Sequence, residues 1–178
     1  MRLLFDIDSK DYASCTHTYV RNSARAVIIR QGKIAMVHSM KYDYYKFPGG
    51  GIEAGERNEE AVVRETYEEA GLRVLPESIR EYGYVHRIQK SAMDETECFI
   101  QDNFYYLCRT DGTAGPQKLD DYEAEEHFTL EYVRPEEAIR INRRRDHGPK
   151  DLRMIEREAR VLELLLADGL FDPEGQTV

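Results

Sequence analysis

Residues 50–72 read GGIEAGERNEEAVVRETYEEAGL, and the rest of the chain is interpreted outward from this stretch. Asn58 is a good N-cap, because its side-chain oxygen can accept a hydrogen bond from a backbone N–H without a helical partner. Two glutamates follow in the first turn, where the helix dipole favours negative charge. Gly71 can adopt the left-handed conformation that ends many helices. The pattern therefore predicts a helix over about residues 59–70.

Three carboxylates, Glu65, Glu68 and Glu69, lie late in this predicted helix. At about 100° per residue they fall within an arc of roughly 100°, beside an apolar stripe that can pack on a core. Like charges at this spacing repel by a few tenths of a kcal/mol per pair, so their placement does not stabilise the helix. A Mg²⁺ or Mn²⁺ ion would reverse that sign, because both ions prefer oxygen ligands. A solvated acidic face is the alternative interpretation.

The same stretch resembles the Nudix box, G-x5-E-x7-R-E-U-x-E-E-x-G-U, in which U is a bulky apolar residue. The fixed positions are occupied by Gly50, Glu56, Arg64, Glu65, Glu68, Glu69, Gly71 and Leu72. Thr66 stands where the pattern has an apolar residue, and residues 46–51 look like the usual lead-in of the family. The resemblance implies a Nudix fold: an α/β protein with a mixed-sheet α/β/α sandwich, in which the box forms a loop–helix–loop.

The resemblance also implies roles for single residues of the box. It implies metal ligands at Glu65, Glu68, Glu69 and the backbone carbonyl of Gly49, and catalytic roles for Glu65 and Glu68. Arg64 and Lys46 are candidates for substrate binding. Glu56 and Arg64 are expected to be orienting residues, since relatives typically use the arginine to hold a helix glutamate. An ordinary surface ion pair is the alternative and would contribute little.

Two further candidates come from segments outside the box. Residues 41–46 carry three tyrosines, and Tyr44 is a candidate for stacking on a base or ring, with simple packing as the alternative. Nudix enzymes often take another glutamate, as metal ligand or general base, from a later loop. Glu126 is the first choice for that catalytic role here and Glu123 the second, with Glu125 also open. A solvated acidic loop remains the competing interpretation.

Composition limits the class of protein. The chain has 178 residues, 33% of them charged, and a net charge of −9, which argues against a binder of duplex nucleic acid. Three cysteines without a C-x-x-C spacing favour a reducing compartment, so we expect a cytoplasmic protein. No apolar run approaches the roughly 18 residues of a membrane span, and no targeting segment is visible. The length fits one domain over residues 1–178.

The remaining sequence predicts strands on both sides of the box and helices at the end. A short strand region is expected within residues 1–20, and a β-hairpin is expected across AVIIR–QG–KIAMVHS. Residues 111–116 have the composition of a turn and loop. Two helices are expected within about residues 135–168, the second with an apolar stripe that includes Leu152. We expect this stripe to pack on the body of the protein, with a second subunit of a possible homodimer as the alternative.

These expectations converge on one function. The resemblance implies a Mg²⁺- or Mn²⁺-dependent hydrolase acting on a small-molecule substrate, a nucleoside diphosphate linked to another moiety. A pyrophosphatase of damaged nucleoside triphosphates is an alternative within the enzyme class. A catalytically silent Nudix-fold regulator that binds nucleotides and a scaffold with a coincidental match are the alternatives outside it.

Overall fold

The computed structural model describes residues 1–144 and 146–172. Within these residues the chain forms twelve strands and four α-helices. The strands are β1 (Leu3–Asp8), β2 (His17–Val20), β3 (Ser23–Val27), β4 (Ile29–Arg30), β5 (Lys33–Ser39), β6 (Tyr44–Lys46), β7 (Gly49–Gly51), β8 (Leu72–Val74), β9 (Arg80–Lys90), β10 (Glu97–Leu107), β11 (Thr110–Ala114) and β12 (Phe128–Val133). The helices are α1 (Asn58–Ala70), α2 (Asp121–Glu125), α3 (Pro135–Asn142) and α4 (Leu152–Ala167).

The largest sheet is mixed, as expected. Its order is β1-β9-β10-β3-β7, and β2 also pairs with β10. The β9–β10 and β3–β7 pairs are antiparallel, whereas β1–β9, β10–β2 and β10–β3 are parallel. A second sheet has the order β12-β5-β4 with β6 beside β5, and β8 pairs with β11 in a third.

Successive side chains of the large sheet pack alternately into two hydrophobic layers, one on each face. On β3, Ala24 and Ala26 belong to the layer under α1, which includes Val62. Val27 belongs to the opposite layer, which contains Leu162 and Leu165 of α4. This alternation is the period of a strand covered on both faces. The sheet therefore lies between α1 and the C-terminal helices, which is the predicted sandwich.

The predicted hairpin is shorter than expected. Only β4 and β5 pair with each other, through Ile29–Ile34 and Arg30–Lys33, while β3 belongs to the large sheet. Gln31 and Gly32 have φ values of 52° and 70°, as the tight turn of a two-residue hairpin requires. The apolar run of the first strand therefore passes from one sheet to another, and its unbroken hydrophobicity conceals the change.

Three local predictions are wrong. Residues 110–114 form a strand, β11, where a turn and loop were expected, because Thr110 and Ala114 pair with β8. The acidic segment before β12 contains α2 instead of being entirely loop. Leu152 is 51% exposed at the first position of α4 and does not join its buried stripe.

The C-terminal helix packs on the body of the protein, as expected. α4 contacts α3 and β6, and its Ile155, Leu162 and Leu165 are fully buried. Asp151 caps α4 by accepting a hydrogen bond from the Arg153 backbone N–H at 3.0 Å. In the part of the chain that the structure describes, no helix is long and apolar enough to cross a membrane.

Candidate active site

Helix α1 carries the three predicted carboxylates. It begins at Asn58, so the prediction of Asn58 as N-cap is wrong by one position. The side chain of Glu60 accepts a hydrogen bond from the Arg57 backbone N–H at 3.0 Å and so stabilises the helix start. Gly71 ends the helix with φ 68°, as expected. One face of α1 packs on the large sheet, and this places the carboxylates at the sheet edge formed by β7.

Arg64 holds the acidic face together. Its Nε and Nη2 donate to the two carboxylate oxygens of Glu56 at 2.8 Å each, a bidentate pair. Nη2 also donates to the Gly51 carbonyl at 3.0 Å, and Nη1 donates to Glu65 at 2.7 Å and Glu68 at 3.2 Å. The hydrogen bonds from Arg64 lower the pKa of Glu56. Arg64 therefore ties the loop before α1 to the carboxylates on the helix.

Glu69 is the most deeply buried carboxylate of the box, with 2% of its surface exposed. Lys46 Nζ donates to its Oε1 at 2.5 Å, and the Gly49 backbone N–H donates to its Oε2 at 2.9 Å. Burial raises the pKa of Glu69 to about 7 against the opposing charge of Lys46. Burial also raises the pKa of Glu65, although Arg64 opposes that shift.

A fourth carboxylate, Glu123 of α2, comes next to Glu69. It is held in place because its oxygens accept from the Asp120 backbone N–H at 3.0 Å and from Tyr122 Oη at 2.8 Å. Burial alone would raise the pKa of Glu123, but its interactions with the Glu69 carboxyl and the Asp120 backbone N–H lower it. The same contact contributes to the raised pKa of Glu69.

The glycine corner before α1 leaves room for these contacts. A Cβ atom on Gly50 would lie 2.2 Å from Glu65 Oε2. A Cβ on Gly49, whose φ is 140°, would lie 2.2 Å from the Ala24 carbonyl oxygen. The Gly49 carbonyl accepts a hydrogen bond from Arg25 Nη1 at 3.2 Å. Gly49 is required because backbone atoms crowd its Cβ position at a positive φ, whereas a Cβ at Gly50 would push the Glu65 carboxylate aside.

These groups line a cleft of about 380 Å³. Six carboxylates and three cationic side chains face it: Glu53, Glu65, Glu68, Glu69, Asp120 and Glu123, with Arg21, Arg64 and Lys118. Lys46 and Gly49 line its inner extension. Within residues 1–144 and 146–172, no three carboxylate, imidazole or thiol groups already converge on one point as a metal site would require. Arg64 and Lys46 hold the carboxylates instead.

Two predicted site residues lie elsewhere. Glu126 does not line the cleft: its buried carboxylate accepts from Ser39 Oγ and Tyr44 Oη at 2.9 Å each and pairs with Lys150. Tyr44 is 2% exposed, so its ring packs in the core and offers no stacking face. The short helix α2 places the Glu123 side chain in the cleft. Glu125 points outward and pairs with Lys41.

Sequence reasoning also missed several residues of the cleft. Arg21, Glu53, Lys118 and Asp120 line it, although none belongs to the fixed positions of the box. For Arg21 a signal was present, since it precedes Ser23 and Arg25 at alternate positions of one extended segment. Lys118 is brought in by its backbone N–H, which donates to the Glu68 carbonyl at 2.7 Å. That long-range contact leaves no local pattern.

Comparison with known proteins agrees with this geometry. Residues 20–157 match the model of the NUDIX domain, so the chain belongs to the NUDIX family. An RNA pyrophosphohydrolase of Xanthomonas oryzae pv. oryzae (strain MAFF 311018) is 31% identical over 109 residues, which cover 56% of this chain and 52% of the relative. The chain thus spans about half the length of the curated relatives it matches.

Solved structures show the same fold. A NUDIX hydrolase from Nitrosomonas europaea superposes with a TM-score of 0.55 at 20% identity, covering 78% of this chain and 87% of the other. A MutT structure from a study of Aliivibrio salmonicida and Vibrio cholerae gives a TM-score of 0.54 at 18% identity, covering 84% and 99% respectively. The predicted mixed-sheet α/β fold and family are therefore confirmed.

Proposed function

We propose that this chain is a divalent-metal-dependent pyrophosphohydrolase acting on a nucleoside diphosphate linked to another moiety. One observation carries the proposal: the box carboxylates and Glu123 line a single cleft whose edge also presents Arg21 and Lys118. Carboxylates can hold hard cations, and the flanking basic groups can attract phosphate oxygens. Membership of the NUDIX family and the name of the curated relatives support the same class of reaction.

The donor set of the cleft fits Mg²⁺ or Mn²⁺. Glu65, Glu68 and Glu69, with the Gly49 carbonyl, are the residues that we propose as ligands, and all of them offer the oxygen atoms that these ions prefer. Arg64 engages one oxygen each of Glu65 and Glu68, and Lys46 engages one oxygen of Glu69, so an ion would compete with these cations only for those oxygens. When bound, such an ion supplies neutralisation of the phosphate oxygens and a lowered pKa of a coordinated water.

The chain's own residues supply positioning and proton transfer. Arg64 keeps Glu65 and Glu68 on the cleft side of α1, because its guanidinium is itself anchored by Glu56. Glu123 takes over from Glu126 as the proposed general base outside the box. Its carboxylate lines the same cleft as Glu65, Glu68 and Glu69 and can accept a proton there.

A second candidate substrate is the 5′-phosphorylated end of an RNA strand. The observation that favours it is the curated relative named RNA pyrophosphohydrolase. The groups needed to cleave a phosphoanhydride there are the same as for a small nucleotide. The substrate panel also distinguishes two alternatives, a nucleoside triphosphate as substrate and a module that binds nucleotides without hydrolysing them.

The experiment is a substrate panel with and without Mg²⁺ or Mn²⁺, using phosphate or monophosphate release as the readout. The panel contains nucleoside triphosphates, ADP-ribose, nucleotide sugars, dinucleoside polyphosphates and a 5′-triphosphorylated oligoribonucleotide. Glu69→Gln is the site variant, and Glu59→Gln on the same helix is the control, since Glu59 does not line the cleft. We expect metal-dependent turnover that Glu69→Gln abolishes and Glu59→Gln keeps. Absence of turnover on every substrate would contradict the proposal.

Three broader assignments accompany this function. We propose that residues 1–178 form one NUDIX domain, of which the family match covers residues 20–157. We propose a cytoplasmic location, supported by three cysteines that are all free thiols in the structure. A homodimer remains a prediction, which measurement of the molar mass in solution would test.

A further inference from the structure

A second cavity, of about 410 Å³, adjoins the cleft and shares Arg21 with it. We call it the side groove and define it by Tyr19, Arg21, Arg87, Gln89, Met93 and Phe99. The strand register explains why these side chains meet. Phe99 of β10 stands between Tyr19 of β2 and Gln89 of β9 as their direct partner, and side chains directly opposite share one face.

The wall of the side groove is aromatic and partly open. The rings of Tyr19 and Phe99 have centroids 6.1 Å apart and are tilted by 46°. Tyr19 is 47% exposed, and the Arg87 guanidinium lies 5.7 Å from the centre of the Phe99 ring. Exposed aromatic rings beside guanidinium groups offer a surface on which a flat ring can stack.

The floor of the groove is polar and fixed. Gln89 is 6% exposed, and its Oε1 accepts from Arg87 Nε at 2.9 Å and Nη2 at 2.7 Å. Arg87 Nη2 is also bonded to Asp151, the residue that caps α4. Among the described residues, no hydrogen bond from the Gln89 amide nitrogen is present, and Gln89 lines the groove. A pocket with apolar walls and a few fixed polar groups is typical of a small-molecule site.

Arg21 joins the side groove to the cleft. Its side chain lines both cavities, and its backbone N–H is fixed by the Ile100 carbonyl at 3.0 Å. Among residues 1–144 and 146–172, its guanidinium has no hydrogen-bond or ion-pair partner. An unpaired guanidinium between an aromatic groove and a carboxylate cleft is suited to a phosphate group that lies between the two.

We propose that the side groove binds the nucleobase of the substrate, stacked on Phe99 and Tyr19, while Arg21 contacts the phosphate nearest to the nucleoside. This assignment rests on the proposed function, because it treats the cleft as the site of the diphosphate. It assigns the side groove to the base and the cleft to the phosphates. Specificity for the base then depends on Gln89 and Arg87, which no fixed position of the box includes.

The test is calorimetric binding of AMP, GMP, CMP and UMP, with ribose 5-phosphate as the probe that lacks a base. Phe99→Leu removes the ring but keeps an apolar side chain. Phe104→Leu is the matched control, since Phe104 is a partly buried ring on the same strand and on its opposite face. Thermal denaturation establishes that each variant is folded.

We expect at least one mononucleotide to bind wild type about 10-fold more tightly than ribose 5-phosphate does. Phe99→Leu should weaken that nucleotide about 10-fold and leave ribose 5-phosphate unchanged, while Phe104→Leu changes neither. Equal affinities of wild type for all five probes, or equal losses in the two variants, would overturn the proposal. Binding is measured without turnover. Base-dependent binding in a protein that hydrolyses nothing would therefore overturn the proposed function and leave this assignment standing.

Discussion

At the scale of single residues, the site depends on a missing side chain. A Cβ atom added to Gly50 would lie only 2.2 Å from Glu65 Oε2. Gly50→Ala should therefore displace the Glu65 carboxylate and lower kcat about 10-fold or more, since small misplacements of a catalytic group are costly. The measurement is steady-state hydrolysis of the substrate that the panel identifies.

Gly112→Ala is the control for this substitution. Gly112 has φ 82° and no atom within 4 Å of its Cβ position, far from the carboxylates of α1 in the sequence. It should lose about 1–2 kcal/mol of stability from backbone strain and keep wild-type kcat. Equal kcat values for Gly50→Ala and wild type would contradict the prediction that catalysis depends on the position of the Glu65 carboxylate.

Glu123 and Glu126 are three residues apart and should behave in opposite ways. Glu123→Gln should lower kcat about 100-fold, as expected for loss of a general base, with little change in stability. Glu126→Ala should lower the free energy of unfolding by about 2–4 kcal/mol, because Ser39, Tyr44 and Lys150 lose a buried acceptor. Chemical denaturation and hydrolysis measured on both variants separate the two roles. A catalytic loss with Glu126→Ala at unchanged stability would return the general-base role to Glu126.

At the scale of secondary-structure elements, α4 supports the strand that leads into the box. Glu158 is fully buried and accepts from Arg157 and from the Phe47 backbone N–H at 3.1 Å. Removing one partner of a buried pair costs about 3–5 kcal/mol, and we expect this loss for Glu158→Gln in denaturant unfolding. Glu163→Gln is the control, since Glu163 forms an exposed pair with Arg143 and should cost less than about 1 kcal/mol. Similar losses in both variants would contradict this role of α4.

The same carboxyl gives α4 a dependence on pH. Burial alone would raise the pKa of Glu158, but the charges of Arg157 and Arg25 and the hydrogen bonds it accepts lower it. A lowered folded pKa contributes stability that is present above the unfolded value of about 4.3 and is lost as pH falls through the folded value. The stability difference between wild type and Glu158→Gln should therefore shrink on acidification below about pH 4. A difference independent of pH, measured by urea unfolding, would contradict this.

The elements that could be predicted from the sequence are those with strong local signals. Gly71 marks the end of α1, and the bounds of β10 and α3 follow from apolar runs and from Pro135. The passage of the first apolar run from β3 to β4 could not be predicted, because residues 26–29 are apolar without a break across the end of one strand and the start of the next. The choice of Glu123 over Glu126 depends on one turn of α2, which tertiary packing forms and sequence periodicity does not reveal.

At the scale of the whole molecule, the two hydrophobic layers hold the large sheet between α1 and the C-terminal helices. The layer under α1 positions the carboxylates, and the opposite layer positions Lys46 and the glycine corner through β6 and α4. The carboxylate cleft lies at the edge where these parts meet. A cation that binds the folded cleft and not the unfolded chain would stabilise the fold, so metal binding and folding should be linked.

The measurement that tests the central claim most directly is a titration with Mn²⁺, in which the electron paramagnetic resonance signal of the free ion reports how much is bound. We predict saturable binding to wild type and unchanged binding to Glu59→Gln. Binding to Glu65→Gln and Glu69→Gln should be at least about 10-fold weaker, which is the effect expected for the loss of one carboxylate ligand. Absence of saturable binding, or equal affinities in all four proteins, would contradict the assignment of these carboxylates to a metal.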